Sequence, residues 1–171
     1  MLQGEPTGPD LSGVIADANA AGLDFVVIGG FSVIYHGYVR ATKDSDLLVP
    51  DGQDADEAIM RFLERIDAIR LYDGKVLTFE DVLGHRHNLR VGSRRGIVDI
   101  VRGGLPPLDY DTVADRAQSV DWLGQAVRVA ALPSVVGFKR LAGRPQDSID
   151  LQELREIYGE LPIEPIPGLD S

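Results

Sequence analysis

An α/β domain, a mixed β-sheet flanked by helices, is predicted by three features of this sequence. The apolar run Phe25-Val26-Val27-Ile28 has the length and β-branched content of a buried strand, and it opens directly onto Gly29-Gly30. Residues 11–18 and 54–68 carry apolar side chains at three- and four-residue steps, the period of a helix with one buried face. Alternating segments around glycine turns, 89–91 with 97–101 and 117–122 with 126–130, supply hairpins. A chain of 171 residues buries roughly 70% of its extended-chain surface, enough for one domain with a real core.

In chain order, residues 1–10 read as a flexible N-terminus. Leu11, Val14, Ile15 and Ala18 then mark a helix that ends near Gly22. A strand over 24–28 leads to a short helix over 31–38 and a strand over 44–49 that Pro50 stops. Ala58, Ile59, Phe62, Leu63 and Ile66 form the apolar stripe of the helix over 54–68. The turn Gly92-Ser93-Arg94-Arg95-Gly96 joins the first hairpin and puts Asp99 in mid-strand; Gly124 turns the second. Ser134 is expected to cap a helix that Gly143 ends, and a last helix covers 146–158. One domain therefore spans 11–158, with its core at about 24–131 and C-terminal helices at about 134–158. The tail, 159–171, carries Pro162, Pro165 and Pro167 and is expected to be extended or disordered.

Composition narrows the function classes. No apolar run approaches the ~20 residues needed to cross a bilayer, so no membrane partner is expected. The first ten residues, with two prolines and an acid, lack the apolar centre of a secretory leader. There are no cysteines, so disulfides and thiolate metal sites are excluded and a cytoplasmic location is expected. A net charge of -10 argues against broad nonspecific attachment to nucleic acid. One segment runs the other way: Arg86, Arg90, Arg94, Arg95 and Arg102 lie close together with Asp99 as the only acid among them.

The chemistry concentrates in residues 29–49. Glycines at a strand-to-helix turn let an anion approach amides that have no intrahelical acceptor, which suits phosphate. Asp44 and Asp46, two apart on a strand, project from one face, with Arg40 and Thr42 on that face if the extended stretch starts earlier. Side-by-side carboxylates repel unless a proton or an oxygen-preferring divalent cation intervenes, and magnesium or manganese is the expected ion. The alternative is a turn cap and a solvent-facing strand edge. Asp99 interrupts the apolar strand Ile97-Val98-Asp99-Ile100-Val101, where a charge needs a partner. Either it is a third ligand, allowing two cations roughly 4 Å apart, or it pairs with Arg90 or Arg102.

A strand, Gly-Gly, a short helix ending in His36-Gly37-Tyr38 and then Arg-Ala-Thr-Lys-Asp-Ser-Asp-Leu resembles the nucleotidyltransferase superfamily of the polymerase-beta type. The likeness is to its small bacterial branch, which includes antibiotic nucleotidyltransferases and the nucleotidyltransferase-like toxins of toxin-antitoxin pairs. Phe138 to Asp150 is similar to the Lys-X-X-Ala-X-Arg-X-X-Asp-X-X-Asp stretch found there, with Gln146 at a usual lysine position. The resemblance implies the minimal nucleotidyltransferase fold and an NTP-dependent enzyme. It makes Asp44, Asp46 and Asp99 the catalytic metal ligands and Gly29 and Gly30 the signature glycines. Ser32 stands two residues after Gly30, where relatives often have Gly-Ser directly.

Arg40, Lys43, Lys139 and Arg144 are the cations expected to meet a triphosphate, Lys139 first among them because a resembling lysine touches phosphate. For Lys139 the alternative is a side chain that snorkels to water. Asp147 and Asp150 share a helix face and are expected to cap or to pair with Arg140 or Arg144. His36 is expected to be packed, and His85 and His87 lack a third ligand. The acceptor is a small hydroxylated molecule, favoured by the acidic surface, or a tRNA or protein met by the arginine-rich segment, in which case a cognate antitoxin is a possible partner. A non-catalytic nucleotide-binding or partner-binding module is the alternative function, and a metal-dependent glycosyltransferase a further one.

Overall fold

Residues 8–85 and 87–170 are described here from a computed structural model of the chain. Helix α1 (Leu11–Ala20) begins where the Asp10 carboxylate accepts from the Gly13 amide at 2.9 Å. Strand β1 (Val26–Ile28) runs straight into α2 (Gly29–Tyr35), and β2 (Asp44–Leu48) is followed by α3 (Gln53–Arg65). A short strand β3 (Ile69–Arg70) and helix α4 (Phe79–Gly84) precede the hairpin of β4 (Asn88–Gly92) and β5 (Ile97–Val101). Helix α5 (Tyr110–Arg116), the hairpin β6 (Gln118–Trp122) and β7 (Gln125–Val129), and helices α6 (Leu132–Ala142) and α7 (Pro145–Tyr158) complete the chain.

The strands form one open, mixed sheet in the order β3-β4-β5-β2-β1-β7-β6. The β1–β2, β3–β4, β4–β5 and β6–β7 pairs are antiparallel, whereas β2–β5 and β1–β7 are parallel. Side chains alternate cleanly between two faces. Val27, Leu47, Leu89, Val91, Val98 and Ile100 enter one core with Val14, Ile15, Ile59, Phe62 and Val82 of α1, α3 and α4. Phe62 is fully buried there, a site where truncation to alanine costs about 3–5 kcal/mol. Val26, Ile28 and Leu48 face the other way, under Val113, Val135, Val136, Leu151 and Leu154 of α5, α6 and α7. Those helices cover β1 and Leu48 at the end of β2 and leave an open cleft lined by polar side chains of β2, β5 and β4.

Several local expectations need correction. Helix α2 starts at Gly29 itself and ends at Tyr35, so both glycines lie inside its first turn rather than before it. Ser134 is not a cap: the N-cap of α6 is Ala131, Pro133 occupies the first turn, and the Ser134 hydroxyl is buried without a hydrogen-bond partner. Gly143 does end α6, in the left-handed conformation with φ 61°. Strand β3 and helices α4 and α5 were not anticipated. The tail has no regular element, yet Leu161 joins the second core and Arg116 and Arg140 hold Glu164 and Asp170, each at 2.6 Å. No helix among the described residues is long and apolar enough to cross a membrane.

Candidate active site

Strand pairing delivers the acidic groups. In the parallel β2–β5 ladder Asp46 is in register with Asp99, while Ile28 lies opposite Asp46 across β1. Asp44, two residues before Asp46, points from the same face. Oxygens of Asp44, Asp46 and Asp99 all come within 4.8 Å of one another, and no other such cluster of acidic or histidine ligands occurs among the described residues. Asp99 stands within the acidic cluster and is also the partner of Arg90. Arg90 Nη1 donates to Asp99 at 2.5 Å and to Asp44 at 3.0 Å. Arg102 is not the partner, since it is buried against Asp56 and the Val82 carbonyl.

The electrostatics call for a cation. Burial, then repulsion from Asp44 and Asp99, pushes the Asp46 pKa up to about 8. Burial also raises Asp99, against the opposing pull of Arg90. One guanidinium faces three carboxylates, Asp46 and Asp99 lie against each other as a carboxyl pair, and Asp99 Oδ1 is buried with no N–H donor among the described residues. An all-oxygen donor set with an orphaned lone pair and a retained proton suits magnesium or manganese, which would replace that proton and engage that oxygen.

The glycines are held to their identity by this chain's own side chains. Gly29 has φ 68°, and a Cβ there would overlap the Asp46 carboxylate. At Gly30 a Cβ would meet Thr42 Oγ1 at 2.5 Å and Arg40 Nη1 at 3.3 Å. Ser32 is buried beside them and donates its hydroxyl to the Gly29 carbonyl at 2.6 Å. Thr42 and Arg40 therefore do share the acidic face.

Behind the carboxylates lies a second charged layer. Arg40 grips Asp150 through Nε and Nη2 at 2.7 and 2.8 Å. Lys139 is buried between Asp147 and Asp150 at 3.0 and 2.9 Å, so it does not snorkel to water. Arg144 bonds Asp147 from its amide and from Nε and caps α7. Burial acts to raise Asp147 and Asp150, but hydrogen bonds from Arg144, Arg40 and Lys139 overcome it and hold both below the usual carboxylate range. Arg140, an expected partner, instead turns to Asp170. Lys43 is exposed on the cleft rim. Gly29, Gly30, Ser32, Arg40, Lys43, Lys139 and Arg144 all line the same cleft of about 710 Å³ as the three aspartates.

Other expectations resolve differently. His36 is buried and packed, its Nε2 2.7 Å from the Ala130 carbonyl. His85 Nδ1 lies 2.7 Å from the Asp81 carbonyl, and neither His85 nor His87 belongs to a metal-ligand cluster. The arginine-rich segment is not one surface. Arg94 and Arg95 converge on buried Asp17 of α1 at 3.1 and 3.0 Å, on the sheet face opposite the cleft, and Arg86 lies outside the described residues. The reading of single segments missed the bond from Arg40 to Asp150, a pair 110 residues apart; a charged pair of motifs at the two ends of the core is the only sequence signal for it.

No protein-family model and no curated protein sequence matches this chain, so its relationships rest on structure. The solution structure of the antibiotic-resistance factor ANT(2'')-Ia superposes with a TM-score of 0.58 at 12% identity, covering 87% of this chain and 82% of that one. ANT(2'')-Ia in complex with adenylyl-2''-tobramycin gives 0.57 at 14% identity, with 87% of each chain covered. A Thermotoga maritima protein assigned as a nucleotidyltransferase gives 0.53 at 16% identity over 86% of this chain and 91% of that one. The glycine bend, the three converging aspartates and the open mixed sheet are thus carried on a nucleotidyltransferase fold.

Proposed function

We propose that this protein is a nucleotidyltransferase that moves a nucleoside monophosphate from an NTP to a hydroxyl of a small molecule and releases pyrophosphate. The observation that carries the reading is the convergence of Asp44, Asp46 and Asp99 in one cleft beside the Gly29-Gly30 bend. In this reading the bond between the acceptor oxygen and the α-phosphorus forms as the bond to the α,β-bridging oxygen breaks. Magnesium or manganese held by Asp44, Asp46 and Asp99 would offset the charge that builds on the phosphates. Gly29, Gly30 and Ser32 border the phosphates, and Arg40, Lys43, Lys139 and Arg144 supply positive charge around them. The acceptor then enters from the side of β5 and β4, beside Asn88 and Val101. In this reading Asp99 would take the acceptor's proton.

A small acceptor is favoured over tRNA because three of the described arginines of that segment are engaged away from the cleft: Arg94 and Arg95 with Asp17, Arg102 with Asp56. The net charge of -10 also draws cationic molecules, and adenylyl-2''-tobramycin is the molecule in complex with ANT(2'')-Ia, a solved structure of the same fold. The test incubates the protein with α-labelled NTPs, magnesium or manganese, and either a panel of small polyhydroxylated amines or total tRNA. Label should move to a small acceptor with stoichiometric pyrophosphate. Undiminished transfer by Asp44→Ala would refute the assignment, and label on tRNA alone would refute the acceptor class.

A further inference from the structure

Arg90 occupies an unusual position. Its backbone is fixed in β4, paired in register with Asp99 of β5, so only the side chain has freedom to move. Nη1 sits between Oδ2 of Asp44 and Oδ2 of Asp99, on two of the three carboxylates of the candidate metal cluster. The side chain is 46% exposed at the cleft rim, whereas that of Asp99 is 7% exposed. One positive charge placed there balances only part of the triad and leaves Asp99 Oδ1 without an N–H donor among the described residues.

We propose that Arg90 is a positioning residue of the metal site: its guanidinium holds Asp44 and Asp99 together in the metal-free protein and exchanges with the divalent cation when the site loads. This rests on the metal-dependent reading above. The exchange follows from shared carboxylates. A cation held by Asp44 and Asp99 and a guanidinium nitrogen bonded to both meet in one gap between two adjacent strands, and their like charges repel at that range. Holding the gap filled has a use. Without a cation, Asp44 and Asp99 repel each other; the guanidinium supplies the countercharge until an entering metal replaces it. Once displaced, the guanidinium can turn into solvent on the side of Asn88 and Val101, which line the same cleft.

The two roles open to Arg90 predict opposite signs. A purely structural clamp makes Arg90→Gln bind metal no better than wild type, whereas a competitor makes it bind more tightly. The measurement is Mn2+ binding to the full-length protein without nucleotide, read from the electron paramagnetic resonance signal of free Mn2+. Arg90→Gln should bind at least about tenfold more tightly, the effect of deleting one charge-assisted hydrogen-bond competitor. Independently of any variant's folding, the Arg90 side-chain Nε–H resonance of 15N-labelled wild type should shift as Mg2+ is added. Its midpoint should match that of metal binding. Equal or weaker Mn2+ affinity in a folded Arg90→Gln protein, or a resonance unmoved at saturating Mg2+, overturns the exchange while leaving the transferase reading intact. Absence of Mn2+ binding by either protein overturns both.

Discussion

Asp46 stands opposite Asp99 in the parallel register of β2 and β5, so a half-buried and a buried carboxylate on adjacent strands share one space with Asp44. Such a placement works against the fold when no cation is present and is retained at functional sites. Asp46→Asn should therefore lower nucleotidyl transfer by on the order of 10³-fold or more while leaving the far-ultraviolet circular dichroism unchanged. In EDTA at pH 9 its melting temperature should be no lower than that of wild type. An inactive variant that also fails to fold would place Asp46 in the core architecture instead.

The Asp46 carboxyl, raised to about 8, dictates a pH dependence. In metal-free protein the folded state holds a proton there that the unfolded state releases near the ordinary carboxylate value of 3.8. Between those values the folded state binds more protons, so the group's favourable contribution is complete at low pH and is lost as pH rises through about 8. Melting in EDTA should show this decline, and Asp46→Asn should remove it. Metal affinity runs the opposite way. The ion must displace the proton, so apparent Mg2+ affinity should rise by up to about tenfold per pH unit as pH approaches the Asp46 value and then level off. Isothermal titration at several pH values in buffers of different ionisation enthalpy should detect the released proton.

Much of this was readable in one dimension because it is local. The Phe25–Ile28 run, the two-residue spacing of Asp44 and Asp46, and the mid-strand Asp99 each depend on neighbours in sequence, and all three behave as their patterns demand. Ser134 failed as a cap because Pro133 fits the first turn of α6, so the chain enters helix three residues earlier. Helices α4 and α5 are too short to show a period and are marked chiefly by caps at Thr78 and Asp109. The arginine-rich segment misled because composition does not reveal facing. Successive strand residues leave on opposite sides, so Arg90 faces the carboxylates while the turn residues Arg94 and Arg95 fold back on α1.

Gly29→Ala tests the glycine bend. The substitution meets both a positive φ and the Asp46 carboxylate, so relief requires the aspartate to move. A loss of about 1–3 kcal/mol in chemical denaturation is expected, together with weakened metal binding. If Gly29→Ala binds Mn2+ with wild-type affinity, the glycine does not serve the aspartate in the way the geometry implies.

The pair Arg94→Gln and Arg95→Gln separates structure from recognition. Both arginines hold buried Asp17, leaving Arg65 at 3.4 Å as its remaining cationic partner among the described residues if they are removed. The double variant should lose about 1–3 kcal/mol of stability and keep full transfer to a small acceptor below its melting temperature. A selective rise in acceptor KM at unchanged stability would return these residues to the binding surface.

Asp150 joins the two ends of the cleft, and its removal should affect nucleotide use more than acceptor use. Its oxygens take Arg40 at 2.7 and 2.8 Å and Lys139 at 2.9 Å, and the carboxylate side chain is fully buried. Asp150→Ala leaves a buried ammonium with one carboxylate in place of two and frees the Arg40 fork, a loss of about 3 kcal/mol by the usual cost of breaking a buried pair. The same change alters charge where triphosphate is proposed to sit, since Arg40 and Lys139 both line that wall. Steady-state kinetics on the folded fraction should then show the KM for NTP changed by several-fold or more, with the KM for acceptor little affected. Lys139→Met with Asp150→Ala completes a double-mutant cycle. A coupling energy above about 1 kcal/mol in denaturation, absent from the NTP KM, would mean that the pair holds the helices together and touches no phosphate.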